Sequence, residues 1–143
     1  MTDGFVKKIG DFIDKQNICF FSTLDELGYP NIECISSIRK RNKLEYFYIC
    51  TPGFYNIAKE SFNYEKSCVY FCDEKNMRCV MFRGESEIIN DIDIKKELWL
   101  DSDSIYFPGG YEDKEYYIIK FKILDARLLN NFRLEIIDIR NKE

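Results

Sequence analysis

Hydrophobic residues recur at two different spacings along this 143-residue chain. Near the N-terminus Phe5, Ile9 and Ile13 fall four residues apart, which predicts an amphipathic helix. From residue 18 onward, apolar residues alternate with polar ones or run in short blocks, as is typical of β-strands. The predicted strands are 18–24, 32–38, 44–50, 67–72, 78–89 and 115–129, with a seventh at 132–139.

Short polar segments separate most of these strands, so consecutive strands are expected to pair antiparallel. The first three, 18–24, 32–38 and 44–50, are predicted to form a meander. Thr51 is predicted to cap a second helix with Pro52 as its first residue, and Asp91 is predicted to cap a third. One domain over residues 1–143 is expected. Its predicted fold is mainly β (α+β), an antiparallel barrel of six to seven strands with flanking helices.

The composition limits the expected partners and the possible catalytic and metal-binding groups. The 21 basic and 25 acidic residues give a net charge of −4, so neither nucleic acid nor an anionic membrane surface is an expected partner. The chain contains no His. That excludes histidine-based catalytic triads, histidine general bases, and zinc or haem held by histidine.

The six cysteines are expected to be reduced. No signal-peptide core and no apolar run of 18 residues is found, so a cytoplasmic location is expected. No CxxC pair is present, and most cysteines fall inside apolar strand-like runs. They are therefore predicted to be buried core thiols rather than metal ligands or disulfides.

The segment from Cys50 to Asn56 joins a predicted strand directly to a predicted helix. A helix N-terminus has unpaired backbone N–H groups and attracts phosphate. Thr51 and Asn56 would add side-chain hydrogen bonds, and Lys59 would add positive charge. The alternative is a plain capped helix without a ligand.

Two further segments have open interpretations. Ser36 and Ser37 place two small hydroxyl side chains inside a strand, where either a flat ligand lies or the strand is half exposed. The basic segment 39–43 is expected to solvate a hairpin, with phosphate capture as the alternative. The acidic stretch 85–103 is expected to be a solvated face, and no acid/base dyad is evident.

Three segments resemble one known family in the order it uses them. They are FSTL followed by GYPNI at 21–32, FYICT at 47–51, and ELW at 97–99 followed by YFPGGYED at 106–113 and a strand from Tyr117. On these segments the sequence resembles the pyridoxamine 5′-phosphate oxidase-like FMN-binding split-barrel superfamily, in its general stress protein branch.

The resemblance implies a homodimer of split barrels with two FMN sites between the subunits. By position, the flavin ring would be lined by one strand, the ribityl-phosphate would lie near the next, and the partner chain would approach with a third. The implied residues are Cys34, Ile35, Ser36 and Ser37 for the ring, Ile49, Cys50 and Thr51 near the ribityl-phosphate, and Phe82 and Arg83 from the partner.

The sequence departs from the family at charged positions. The family's Ser and Lys after the third strand are Tyr55 and Ile57 here, and its Arg in the second strand is Glu33. Each lost charge-assisted hydrogen bond would cost about 1.5–3 kcal/mol, with Lys59 as the candidate substitute. Vitamin B6 oxidation is not expected, because the family's substrate-binding His is absent. The expected function is an FMN-dependent oxidoreductase of the general stress type, or else a non-catalytic protein that binds flavin or a small anion.

Overall fold

The computed structural model describes residues 3–36, 38–52 and 65–139. These residues form two α-helices, two short 3₁₀ turns and one antiparallel sheet. The helices are α1 (Asp3–Asp14) and α2 (Ile92–Leu98), and the 3₁₀ turns are Asp101–Ile105 and Gly110–Glu112. The strands are β1 (Ile18–Leu24), β2 (Pro30–Ser36), β3 (Lys40–Asn42), β4 (Tyr46–Pro52), β5 (Glu65–Asp73), β6 (Arg78–Ile89), β7 (Tyr116–Asn130) and β8 (Arg133–Asp138).

The sheet curls without closing. Its strand order is β2-β1-β5-β6-β7-β4-β3, with β8 paired to β7 beside β4. β2 and β4 contact each other, but no ladder joins them. The predicted fold class, a mainly β antiparallel split barrel with flanking helices, is confirmed. The described residues contain eight strands rather than six or seven, because Lys40–Asn42 pairs with Tyr46–Tyr48 instead of serving only as a loop.

Two local predictions about β4 are wrong. β4 does not form a meander with β2, because β3 occupies one of its edges and β7 the other. Thr51 and Pro52 do not begin a helix. The β4–β7 ladder extends through them, with Thr51 opposite Tyr117 and Pro52 opposite Tyr116. The helix predicted after Pro52 falls on residues 53–64, outside the described residues.

Phenylalanine side chains fill the barrel interior. Phe47, Phe71, Phe82 and Phe121 come from four different strands, and all four are fully buried. Phe47 meets Phe82 edge-on at 5.0 Å between ring centroids and stacks on Phe121 at 6.1 Å. Edge-to-face and offset-stacked rings add to the free energy of burying the rings. One face of α1 packs on the same cluster.

A second, smaller core lies on the other face of β4 and β7. Asp91 caps α2 as predicted, accepting a hydrogen bond from the backbone N–H of Asp93 at 2.9 Å. Leu98 of α2 then packs on Tyr116, whose ring meets Trp99 edge-on at 5.1 Å. The helix therefore covers β4 and β7 from outside.

A buried ion pair fixes the segment after α2 to the start of β3. Arg39 donates two hydrogen bonds to Asp103, at 2.7 and 2.6 Å, and a third to the Leu98 carbonyl at 3.0 Å. Both charged side chains are only 7% exposed. The solvated-hairpin prediction is therefore wrong for Arg39, and the solvated-face prediction is wrong for Asp103. The two charges satisfy each other in a bidentate pair, which allows both to be buried.

The prediction of buried thiols holds for Cys19, Cys50 and Cys79. It is wrong for Cys34 and Cys72, which are exposed. They alternate along their strands with buried Ile35 and Phe71, so their side chains point outward. In the described part of the chain, no helix is both long and apolar enough to cross a membrane.

We predict that Gly84→Ala destabilises the fold. A Cβ at Gly84 would lie 2.0 Å from the Lys122 carbonyl oxygen, where the β6–β7 register shifts. Backbone must then move, which costs about 1–3 kcal/mol in the free energy of unfolding. Urea denaturation measures the change. Gly4→Ala is the control, because its Cβ meets no atom within 4 Å. Equal stability of Gly84→Ala and wild type would contradict this packing.

We predict that Asp103→Asn lowers the free energy of unfolding by about 3–5 kcal/mol, because it leaves the Arg39 charge buried without a counter-ion. Glu97→Gln is the matched control. It removes the exposed Lys40–Glu97 pair, and such pairs contribute only about 0–1 kcal/mol. Denaturant titration of both variants tests the difference. Equal losses would show that burial of the Arg39–Asp103 pair carries no energetic weight.

Candidate cofactor-binding site

The opening in the barrel lies where the end of β2 approaches the middle of β4. The backbone N–H of Arg39 donates to the Tyr48 carbonyl at 2.7 Å. Ser36, the last residue of β2, is three residues before Arg39, and three extended residues span about 10 Å at most. The end of β2 therefore lies close to Tyr48. We call this opening between β2 and β4 the split.

On β2, the residues predicted to line a flavin ring point to alternate sides. Cys34 and Ser36 are exposed, whereas Ile35 is buried in the core. Among the described strands, β2 pairs with β1 alone, so it is an edge strand beside the split. The two small side chains on the outward side of β2 leave room for a flat ligand. Ser37 lies outside the described residues.

On β4, the residues predicted near the ribityl-phosphate are all buried. Ile49 belongs to the barrel core and Cys50 to the second core. Their side chains do not reach the surface, so only their backbone groups can meet a ligand. Thr51 is also buried. Its hydroxyl donates a long hydrogen bond of 3.5 Å to the Pro52 carbonyl, which leaves its capacity as an acceptor.

The positions implied for the phosphate itself, Asn56 and Lys59, lie outside the described residues. Nearer the split, burial raises the pKa of the Cys50 thiol to about 12, and the nearby Arg39 charge only partly opposes this. Cys50 is therefore a neutral thiol at physiological pH. It offers neither a nucleophile nor a charge to a ligand.

Within one chain, the Phe82 and Arg83 side chains do not open onto the split. β6 lies three strands from β2 and two from β4 in the sheet, and the Phe82 ring meets Phe47 of β4 inside the barrel. Phe82 is part of the core. Arg83 points outward and binds Asp125 through two nitrogens, with the Nε donating at 2.9 Å, and this contact raises the Arg83 pKa. A role for either residue at the split requires a second chain.

Sequence reasoning missed an apolar outer face on the same sheet. Consecutive strand registers align one row of outward residues, and no described element covers it. We call this row and its exposed apolar neighbours the outer face. Strands 18–24 and 67–72 have apolar residues at both alternate sets of positions, which is the pattern of a strand covered on both sides. The row is Cys34, Phe20, Tyr70, Met81, Arg127 and Ile136, and its exposed neighbours are Ile18, Ile32 and Leu134.

Arg127 is a charged residue within the otherwise mostly apolar row of the outer face. Its Nε is buried and has no hydrogen-bond partner among the described residues. A buried unpaired donor costs free energy, so such groups usually bond to another protein group or to an ordered water molecule. No group of three or more His, Cys, Asp or Glu residues within the described ranges is arranged to hold a metal ion.

The comparisons with known proteins agree with this architecture. The family described as "Pyridoxamine 5'-phosphate oxidase like" matches residues 5–137. A Clostridium acetobutylicum protein related to general stress protein 26 of Bacillus subtilis has a similar structure, with a TM-score of 0.86, 26% identity and 97% coverage of both chains. None of the curated proteins matches the chain by sequence.

Two more distant structures share the fold. General stress protein 26 from Bacillus anthracis has a TM-score of 0.72 and 16% identity, covering 94% of this chain and 98% of its own. The general stress FMN/FAD binding protein from Xanthomonas citri has a TM-score of 0.73 and 14% identity, covering 91% of both. Because the family match spans nearly the whole chain, the chain belongs to the pyridoxamine 5′-phosphate oxidase-like family.

Proposed function

We propose that this protein binds FMN in clefts between two copies of the chain, as a flavin-dependent oxidoreductase of the general stress type. The observation that carries the proposal is the split, which brings the end of β2 beside the middle of β4 in a member of this family. The Xanthomonas citri protein with the same fold, described as FMN/FAD binding, supports a flavin as the ligand.

The residues at the split suit a flat, polar ligand. Cys34 and Ser36 are small and point outward, so a planar ring can approach the β2 backbone. The Thr51 hydroxyl lies at the end of β4, just before the segment to which the resemblance assigns the phosphate. When bound, a flavin supplies hydride or electron chemistry, and these residues bind and orient it.

Charge is the weak part of the fit. Arg39 and Lys40, which follow β2 most closely among the described cations, already pair with Asp103 and Glu97. Glu33 adds a half-buried carboxyl group on β2. Neutralising a phosphate therefore falls to residues outside the described part, and Lys59 is the proposed cation. We expect most of the binding free energy to come from the ring.

A second copy of the chain completes the proposed cleft. The apolar outer face has the character of an interface core, and its Arg127 needs a hydrogen-bond acceptor. Across such an interface, the partner would bring its own β6 toward the split. In this arrangement the partner's strand around Phe82 and Arg83 would approach the split. The Arg83 side chain points outward, whereas the Phe82 side chain is fully buried, so only its backbone could meet a ligand.

One observation favours a non-catalytic flavin-binding protein as the second candidate. Burial raises the pKa of both Cys50 and Cys68, and the described residues around the split include no acid/base dyad. No described side chain at the split is then available to give a proton to a substrate or take one from it. The two candidates are distinguished by adding NADH or NADPH to the flavin-bound protein and monitoring reduction of the flavin through its absorbance. Bound flavin that no nicotinamide reduces supports the non-catalytic one.

We predict that FMN fluorescence is quenched on titration with the protein, and that Lys59→Ala weakens FMN binding by about tenfold or more because it removes one charge-assisted contact. Riboflavin is the control ligand, because it lacks the phosphate and its affinity should not change. Unchanged FMN affinity in the variant would remove Lys59 from the site. Absence of quenching by either flavin would contradict the flavin proposal itself.

We predict a dimer in solution, measured by light scattering as about twice the 17.1 kDa chain mass. Ile136→Lys should weaken association at least tenfold, because it places a charge in the outer face. Ile105→Lys is the matched control. Ile105 is 77% exposed, against 58% for Ile136, and lies on the 3₁₀ turn after α2. A monomeric wild-type protein, or equal effects of the two variants, would contradict this interface.

A further inference from the structure

Two cysteines face each other across the β5–β6 hairpin. Cys72 and Cys79 are direct partners in the antiparallel register, one pair inside the pair Asp73 and Arg78 that closes the turn. Their sulfur atoms are 3.3 Å apart. Directly opposite residues in antiparallel strands have Cα atoms about 4.5–5.5 Å apart, which lies within the range that a disulfide spans. The register therefore places the two strands at a spacing that a disulfide can bridge.

The two thiols differ in accessibility. Cys72 is exposed, whereas Cys79 is only 6% exposed. Cys72 lies on the same side of β5 as Tyr70 of the outer face, two residues further along the strand. In the separate chain a small oxidant can reach the Cys72 sulfur, and the Cys79 sulfur is then already in position to attack it. This pairing of an accessible thiol with a shielded neighbour is the arrangement of a two-step oxidation, in which the second thiol resolves what the first has formed.

The surroundings of the pair favour the protonated form of Cys72. The Tyr70 hydroxyl is hydrogen-bonded to the Cys79 sulfur, and the carboxylates of Asp73 and Glu74 are near Cys72. The pKa of Cys72 is raised to about 11, mainly by its contact with Cys79 and to a smaller extent by burial. Cys72 is therefore a neutral thiol at neutral pH, and it reacts faster at higher pH as more thiolate forms.

We propose that Cys72 and Cys79 form a reversible dithiol–disulfide site that small-molecule disulfides oxidise. The Cys72 thiolate attacks one sulfur of the small disulfide, which forms a mixed disulfide and releases one small thiol. The Cys79 thiolate then attacks the Cys72 sulfur, which forms the Cys72–Cys79 bond and releases the second small thiol. Two protein thiols are oxidised and one small disulfide is reduced, and the two protons leave with the small thiols or the solvent.

Cys68 provides a matched control for this site. It is on the same strand as Cys72 and points to the same side, but it lies opposite Arg83 rather than a thiol. Trypsin separates the two halves of the hairpin, because cleavage after Lys66, Lys75, Arg78 and Arg83 yields peptides 67–75 and 79–83. Peptide 67–75 holds both Cys68 and Cys72, so Cys68→Ser identifies which of them is linked.

The test incubates the full chain with oxidised glutathione at about pH 8.5, where more thiolate is present. Intact mass spectrometry should show a protein two hydrogens lighter that dithiothreitol restores. A non-reducing tryptic map should link peptides 67–75 and 79–83. Cys68→Ser should keep this link, and Cys72→Ser, a change at an exposed position, should lose it.

Three results would overturn the proposal. A stable glutathione adduct on Cys72 would show that Cys79 does not resolve the mixed disulfide. A link that disappears in Cys68→Ser would show that the wrong cysteine had been identified. An unchanged mass, with both hairpin cysteines recovered as thiols, would show that the pair does not exchange with small disulfides.

Discussion

The packing of Phe47, Phe71, Phe82 and Phe121 inside the barrel is the constraint on which the rest of the structure depends. Each ring comes from a different strand, so four strands must curl toward one centre for the rings to meet. The same curvature brings β2 toward β4 without giving them a common ladder. The split is therefore a consequence of how the core is filled.

Three arginines form ion pairs with carboxylates of the same chain. Arg39 pairs with Asp103, Arg41 with Asp14, and Arg83 with Asp125, so each joins two elements that are distant in sequence. Arg39 holds the segment after α2 on β3, and Arg41 holds α1 beside the same strand. Each of these three arginines already has a carboxylate partner, so none of them offers an unneutralised charge to an anionic ligand. In the proposed function, the cation for the phosphate is therefore Lys59.

Local features were predictable from the sequence, and long-range ones were not. The bounds of β1 and β6 match the predicted strands, and Asp91 caps α2, because alternation and capping depend on neighbouring residues. The partner of β4 was missed, because hairpin reasoning favours the strand that comes before it in sequence. The burial of Arg39 was missed because its counter-ion is 64 residues away.

The candidate site was predictable only in part. Cys34 and Ser36 reach the surface, but Ile49 and Phe82 lie in the core. Their burial could not be predicted, because a continuous apolar run does not reveal which alternate residues face inward.

We propose that two chains build two flavin sites. Native mass spectrometry of the FMN-saturated protein counts the chains and the ligands in one species. We expect two chains carrying two FMN molecules. A single chain carrying one FMN, or a dimer carrying none, would show that the flavin sites are not built between two chains.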